Sequence, residues 1–233
     1  NPAFARFWAR TDYPVADGKA QRGYYFGPGA SLNCDEPYKE APGGKRPVVY
    51  LDKARLELNN PGTGIVTSGL LAKELISGQM QLGDAEFRAY PAAAVPVAGD
   101  QVDSTAPTYA SFGGVSSVDP SKNRAGRKVG QAVTDVLVKS GQVSADASLG
   151  RYEVTYADYR SELGHNIPNV FVDYFGQRGL VANVGADNSI SYAEDQLIDW
   201  VQVLGLPIAE AYWSLTPVGG VNKWVLMQPY ERR

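Results

Sequence analysis

The sequence contains very little sulfur and a single histidine. Among 233 residues there are two Met, one Cys at position 34 and one His at position 165. A lone Cys34 excludes an intramolecular disulfide and zinc sites built on paired cysteines, because both need two thiols. His165 and Cys34 are also too far apart in the chain for a transition-metal spacing motif. We therefore predict no metal and no cofactor, and keep only a carboxylate calcium site within residues 185–195 as an alternative.

Concentrated positive charge and long apolar runs are missing as well. Lys and Arg total 22 against 25 Asp and Glu, for a net charge of −3, and the basic residues stand singly or in pairs. One such pair is Arg232 and Arg233. Nucleic-acid binding normally requires a basic patch, so no nucleic-acid partner is predicted. No stretch approaches the ~18 consecutive apolar residues of a membrane helix, so no membrane span is predicted.

Familiar catalytic motifs do not occur either: the sequence has no nucleophile elbow, P-loop or dinucleotide-binding glycine motif. The remaining catalytic candidate is His165, in the stretch "SELGHNIPNVF". A general base needs an orienting partner, and the carboxylates nearest to His165 in sequence are Asp158, Glu162 and Asp173. Because no nucleophile motif accompanies them, we favour a structural role in which His165 fixes the chain at the start of a helix. A non-catalytic protein is therefore the favoured class.

Aromatic residues are the main positive signal, at 11% of the chain. Exposed aromatic rings bind sugars and peptides, whereas buried rings fill a core, so exposure decides between the two roles. The residues that would form a ligand-binding platform, if they are exposed, are Tyr24, Tyr25, Tyr156, Tyr159, Tyr212, Trp213 and Trp224.

The N-terminus carries a clear helix signal. Asn1 suits the N-cap and Pro2 suits the first helical position. Phe4, Phe7 and Trp8 then fall on one face of this helix, because they are spaced three and four residues apart. We expect this aromatic face either to dock on the body of the protein or to mediate self-association with a second copy.

Short strands and a few helices are predicted in the rest of the chain. Strands are predicted within residues 23–28, 48–51 and 54–58, and the two glycines after Val218 predict a terminal hairpin. Helices are predicted over residues 68–78 (capped by Ser68 and stopped by Gly78), 166–179 and 191–205 (with a capping box of Ser191 and Glu194). Because strands and helices do not alternate regularly, we predict an α+β fold with a mainly antiparallel sheet and about four short helices.

The length and composition suit one globular domain over residues 1–233. The segment near residues 101–127 is rich in Pro, Gly and Ser and lacks a periodic pattern. An alternative organisation therefore has two intimate lobes, residues 1–100 and 128–233, joined by that segment.

Several phrases occur in a specific order: "ARTDYPVADG", "YLDKARLELNN", "TSGLLAKELISGQMQLGD", "GHNIPNVF", "GLPIAEAYW" and "VGGVNKWVLMQPYERR". As a set they resemble an uncharacterised family of bacterial secreted or cell-surface globular domains. The resemblance touches most of the chain and is weakest over residues 101–150. It implies export and a stand-alone domain, assigns no catalytic residue, and makes a histidine in the "GH" phrase a usual feature. Relatives often continue past "ERR" with a tail rich in Tyr and Pro, whereas this sequence stops at Arg233.

These observations lead to three hypotheses about function. The favoured one is a non-catalytic extracytoplasmic domain that binds a cell-surface polymer or a protein partner, including as a subunit of a surface assembly. The first alternative is a hydrolase of cell-wall glycan or peptide that uses His165 with a nearby carboxylate. The second is a structural subunit of a filament or surface lattice. In each case we expect a secreted or cell-surface location, which also suits the scarcity of oxidisable sulfur.

Overall fold

The computed structural model describes residues 1–60, 62–102 and 105–233. Four α-helices and three 3₁₀ turns are present in these residues, together with fourteen strands that pair mostly antiparallel. The predicted α+β fold with a mainly antiparallel sheet and about four short helices is therefore confirmed. The α-helices are α1 (Pro2–Ala16), α2 (Leu71–Ser77), α3 (Asn169–Phe175) and α4 (Trp200–Leu204), and the 3₁₀ turns are Pro42–Gly44, Tyr109–Phe112 and Ala147–Tyr152.

The strands form two four-stranded sheets and three two-stranded ribbons. In chain order they are β1 (Ala30–Pro37), β2 (Lys45–Leu51), β3 (Arg55–Glu57), β4 (Thr67–Ser68), β5 (Gln79–Gln81), β6 (Phe87–Ala89), β7 (Asp135–Leu137), β8 (Val143–Ala145), β9 (Tyr156–Arg160), β10 (His165–Pro168), β11 (Arg178–Val184), β12 (Ile190–Gln196), β13 (Tyr212–Val218) and β14 (Val221–Met227). One sheet has the order β1-β2-β3-β4 and the other β14-β13-β7-β8, in which β13 and β7 run parallel. The predicted terminal hairpin is confirmed as β13 and β14.

The N-terminal helix α1 forms as its sequence predicts. The Asn1 side chain accepts a hydrogen bond from the Ala3 N–H at 2.9 Å, which makes it the N-cap. Phe4 is buried in the largest core cluster, and Phe7 and Trp8 are partly buried against it. The aromatic face of α1 is therefore covered by its own chain, which counts against self-association through these three residues.

Residues 23–28 form a bent loop, so the predicted strand at this position is wrong. The reason is the fully buried carboxylate of Asp12, on α1, which accepts hydrogen bonds from three consecutive N–H groups of the loop. N–H groups that converge on one carboxylate are not available to a partner strand. Gly27 has a φ of 120°, and a Cβ there would lie 2.6 Å from the Asp52 Cβ, so the tight bend requires glycine.

The stretch around His165 is extended, which corrects the helix predicted over residues 166–179. Residues His165–Pro168 form β10, which pairs with β9 so that His165 lies opposite Arg160. Pro168 restricts the preceding Ile167 to extended backbone, and Ile167 is buried in the core. Helix α3 starts only at Asn169, with Pro168 as its N-cap. His165 is thus a strand residue and does not mark the start of a helix.

Two other predicted helix starts are also displaced. Ser191 and Glu194 lie in β12, which pairs with β11 along its whole length, so they form no capping box. Helix α4 is capped by Asp199, whose carboxylate accepts from the N–H groups of Val201 and Gln202. Ser68 lies in β4 and α2 starts at Leu71 without a side-chain cap, although the predicted stop at Gly78 is confirmed by its φ of 69°.

The hydrophobic core consists of three clusters of buried side chains. The first joins α1, β2 and β3 to α3, β11 and α4. The second includes Ile76, Phe112 and Leu137, and the third lies under β7 and β13 around Trp213. Phe112 of the Pro/Gly/Ser-rich segment is fully buried in this second cluster, between residues that precede and follow the segment in the sequence, while residues 103 and 104 of the segment lie outside the described residues.

Candidate functional site

His165 lies in a closed polar cluster. The side chain is fully buried, and its Nε2 lies 2.7 Å from the hydroxyl of Ser117. Its Nδ1 lies 3.4 Å from a carboxylate oxygen of Glu210. Ser117 and Glu210 are buried as well. This is the order of groups in a serine hydrolase triad, and local sequence patterns did not find it because both partners are distant in the chain.

The carboxylates predicted as partners of His165 lie elsewhere. Glu162 binds the guanidinium of Arg160 at 2.7 Å, and Asp158 lies 3.9 Å from the same side chain. Asp173 is exposed on α3. The structure therefore brings none of the three carboxylates to His165. The hydrolase hypothesis required one of them as the partner of the histidine.

Glu210 is held as a buried anion by several donors. Its carboxylate accepts a hydrogen bond from the Asn166 N–H at 2.9 Å and lies 3.5 Å from the Lys128 ammonium. Burial is the largest influence on its pKa and raises it, but His165, the Asn166 N–H and Lys128 together outweigh burial. The pKa of Glu210 is consequently below its usual value. The network ties β10 to the chain just before β13.

Burial separates the side chains of this cluster from solvent. Five surface cavities of the described chain are lined by side chains other than Ser117, His165 and Glu210. The Ser117 N–H donates to the Ile208 carbonyl at 2.7 Å, so it is not free to stabilise an oxyanion. The cluster joins three segments of the chain, which is a structural role.

Most of the aromatic residues predicted as a ligand platform pack in the core clusters. Buried rings are those of Tyr25, Tyr156, Tyr212 and Trp213. Partly buried rings are those of Tyr24, Tyr159 and Trp224. The Trp213 indole donates to the Val133 carbonyl at 2.8 Å, and burial raises the pKa of Tyr156 and Tyr212. None of the seven rings is exposed, as the predicted platform required, and none lines one of the five surface cavities described here.

A different site lies where the turn between β2 and β3 meets α2, the end of β14 and the last residues of the chain. It is a cleft of about 470 Å³, which we call the basic cleft. Its apolar lining, which we call the floor, includes Ala72, Val97, Tyr109, Phe171 and Met227, and we call its charged lining the rim. The charged side chains at its rim are Lys53, Arg232, Arg233 and Asp52.

The three cations of the basic cleft are positioned by backbone carbonyls. Lys53 donates to the Tyr24 carbonyl at 2.8 Å, Arg233 donates to the Tyr25 carbonyl at 2.9 Å, and Arg232 donates to the Ser68 carbonyl. None of them forms an ion pair with an Asp or Glu of the described residues. Their charges are therefore not neutralised by an ion pair within that part of the chain.

The loop at residues 23–28 links this cleft to α1. Asp12 holds the N–H groups of the loop, while the loop carbonyls hold Lys53 and Arg233. Burial raises the pKa of Tyr109, and the positive charge of Arg233, which lines the same cleft, opposes that rise. Sequence patterns did not identify this site, since the only local sign was the adjacent Arg232 and Arg233.

A second groove, of about 490 Å³, lies between α1 and the chain from β12 to α4. Arg6 and Arg10 line it opposite Asp195 and Asp199, so its charges balance. Arg10 already binds Asp195 at 2.9 Å across the groove. The basic cleft differs because its cations have no carboxylate partner among the residues that the structure describes, and it is therefore the stronger candidate for binding.

Comparisons with known proteins give no assignment: no protein-family model matches the chain, and neither a curated protein nor a solved structure is significantly similar to it. Within residues 1–60, 62–102 and 105–233, no group of three or more His, Cys, Asp or Glu side chains is arranged to hold a metal ion. None of the helices in those same ranges is both long and apolar enough to cross a bilayer.

Proposed function

We propose that this protein is a non-catalytic extracytoplasmic domain that binds a cell-surface polymer or a protein partner through the basic cleft. The observation that carries this proposal is the contrast between two sites. The basic cleft is open and holds three cations without carboxylate partners in the described chain, whereas the polar cluster around His165 is sealed. Binding needs an open site with unsatisfied groups, while hydrolysis also needs a reactive group within reach of substrate.

The location outside the cytoplasm is supported by the sequence. The phrases of the chain resemble secreted or surface domains, and a chain with one Cys and two Met has few groups that an oxidising environment would modify. A binding role as part of a surface assembly agrees with the same observations.

Co-sedimentation with insoluble bacterial envelope material tests the proposal. We expect the wild-type chain to sediment with the envelope fraction. Ala98 is partly buried at the cleft, so an Ala98→Trp substitution should fill the cleft and abolish co-sedimentation. Ala193 is exposed on β12, away from the cleft, and Ala193→Trp is the matched control that should sediment like wild type. Absence of binding by the wild-type chain, or equal binding by both variants, would contradict the proposal.

A further inference from the structure

We propose that the basic cleft recognises an anionic sugar unit, whose carboxylate or phosphate group is held by Lys53, Arg232 and Arg233. This inference rests on the proposed function, since it names the class of ligand for the same site. It is carried by the charge, the hydrogen-bonding capacity and the floor of the cleft.

The charge of the cleft is opposite to that of the whole chain. The protein has a net charge of −3, while the side chains that line the cleft carry three positive charges and one negative charge, on Asp52. An acidic protein is repelled from an acidic polymer at long range, so attraction requires a local concentration of cations. The basic cleft provides that concentration at one rim.

The cations of the cleft have more N–H donors than their bonds to the loop carbonyls use. An Arg side chain has five N–H donors and a Lys side chain has three. Arg233 uses its Nη1 on the Tyr25 carbonyl, and Lys53 uses its ammonium on the Tyr24 carbonyl. These bonds fix the side chains in place and leave further donors for a ligand. A guanidinium fork matches the oxygen pairs of carboxylate and phosphate, so both anions suit the rim.

The floor of the cleft provides aromatic rings against which a sugar can pack. Tyr109 and Phe171 are partly buried rings beside the cations, and such rings pack against the C–H face of a pyranose. The volume of about 470 Å³ lies within the range of small-ligand sites and suits one or two sugar units. Leu226 and Met227 of the lining belong to β14, an edge strand of its sheet, so an acidic peptide is the competing ligand that the poly-L-glutamate probe tests.

Binding measurements with defined polymers test this inference. The probes are oligogalacturonate for carboxylates, poly(glycerol phosphate) for phosphates, neutral dextran, and poly-L-glutamate as an acidic peptide, each measured by isothermal titration calorimetry. We expect the protein to bind oligogalacturonate, poly(glycerol phosphate) or both. This binding should weaken as salt is added. Which of the two binds identifies the source of the anion.

Variants that remove one charge connect this binding to the cleft. Lys53→Gln and Arg233→Gln keep a donor for the loop carbonyls, and each is expected to weaken binding by at least about fivefold. Arg6→Gln is the matched control, because Arg6 is an exposed arginine that lines the other groove. Circular dichroism checks the folding of all three. If Arg233→Gln does not fold, the exposed Lys53 decides the outcome alone.

The outcomes separate this inference from the proposed function. Equal affinity for dextran and the acidic probes would show that the ligand need not be anionic. The proposal that the protein is a binding domain would still hold. Tighter binding of poly-L-glutamate than of either acidic glycan replaces the sugar with an acidic protein. An equal loss in Arg6→Gln shows that the attraction is not specific to the cleft. If none of the four probes binds while the protein still sediments with the envelope, the anionic-sugar inference is wrong but the proposed function stands.

Discussion

Asp12 has an influence that extends well beyond its own helix. Its buried carboxylate accepts from the N–H groups of Tyr25, Phe26 and Gly27 at 2.8, 2.7 and 3.0 Å. The carbonyls of the same loop orient two cations of the basic cleft. One carboxylate therefore supports both the packing of α1 and the shape of the candidate site.

Replacing Asp12 by Ala is expected to lower the free energy of unfolding by about 3 kcal/mol, because three buried N–H groups lose their acceptor. Urea denaturation followed by circular dichroism measures this loss. Asp173→Ala is the control, since Asp173 is exposed on α3, and it should unfold at nearly the wild-type urea concentration. A similar effect of both substitutions would show that the carboxylate does not organise the loop.

Ser117 has the partner of a catalytic serine but not its accessibility. Its hydroxyl lies 2.7 Å from His165 Nε2, yet both side chains are buried. We therefore expect the folded protein to resist a fluorophosphonate probe, which labels activated serines that substrate can reach. Mass spectrometry of the intact chain detects the adduct. Labelling of wild type that disappears in Ser117→Ala would instead revive the hydrolase hypothesis.

Glu210 should make the stability of the protein depend on acidity. Its pKa is lowered below the ordinary value of 4.5, so the unfolded chain binds more protons than the folded chain in the acidic range. The resulting stabilisation is fully present above pH 4.5 and is lost as the pH falls through the lowered pKa. Glu210→Gln should cost about 3 kcal/mol at pH 7 and progressively less in acid.

Urea unfolding at a series of pH values checks this expectation for Glu210. Glu194→Gln is the matched control, because Glu194 is exposed on β12, and it should leave the pH profile unchanged. A constant difference between wild type and Glu210→Gln at every pH would mean that the carboxylate is not selectively ionised in the fold.

The hairpin of β13 and β14 is held at its tip by a residue from another part of the chain. The Asp100 carboxylate accepts from the N–H groups of Gly219 and Gly220 at 3.0 and 2.8 Å. The bond from Gly220 and the bond from Gly219 lower the pKa of Asp100. Both glycines have positive φ, as a two-residue hairpin turn of type I′ requires.

Removing this support should loosen only the tip of the hairpin. In Asp100→Ala we expect the amide protons of Gly219 and Gly220 to exchange roughly fivefold faster, since each loses its acceptor. Hydrogen exchange followed by NMR measures this directly. Asp187→Ala, which removes the acceptor for Ser189 N–H in the loop between β11 and β12, should accelerate exchange only there. Unchanged exchange at both glycines in Asp100→Ala would contradict the role of Asp100.

At the level of elements, the sequence could predict the helix caps, helix stops and tight turns that depend on neighbouring residues. The capping of α1 by Asn1, the stop at Gly78 and the turn after Val218 depend on neighbouring residues, and all three are confirmed. The helix predicted from Ser191 failed, because pairing with β11 outweighs a capping signal. Strand pairing involves residues distant in sequence, so local patterns do not reveal it.

The same distinction explains the candidate site. Lys53 reaches the cleft from a turn, while Arg232 and Arg233 reach it from the far end of the chain. Their common placement depends on the carbonyls of Tyr24, Tyr25 and Ser68, which no spacing rule connects to them. His165 was a catalytic candidate because it is the only histidine of the chain. The number of histidines in a sequence does not predict whether the side chain is buried.

The whole molecule is connected by core clusters that draw on distant parts of the chain. In the first cluster, Leu56 contributes from the first half of the sequence and Val181 from the second. In the second cluster, Ile76 packs with Leu137 across the Pro/Gly/Ser-rich segment. Because the clusters are shared, we expect the chain to unfold as one cooperative unit, as single domains usually do. Two lobes with separate cores would unfold in two steps.

Two core substitutions test this cooperativity. Leu56→Ala and Leu137→Ala lie in different clusters and in the two halves that the two-lobe alternative separates, and each should cost about 2–5 kcal/mol. In one cooperative unit, each substitution shifts the entire transition, and calorimetry, circular dichroism and tryptophan fluorescence report the same midpoint. If Leu56→Ala moves one transition while a second stays at the wild-type temperature, and Leu137→Ala does the reverse, the two-lobe organisation is correct.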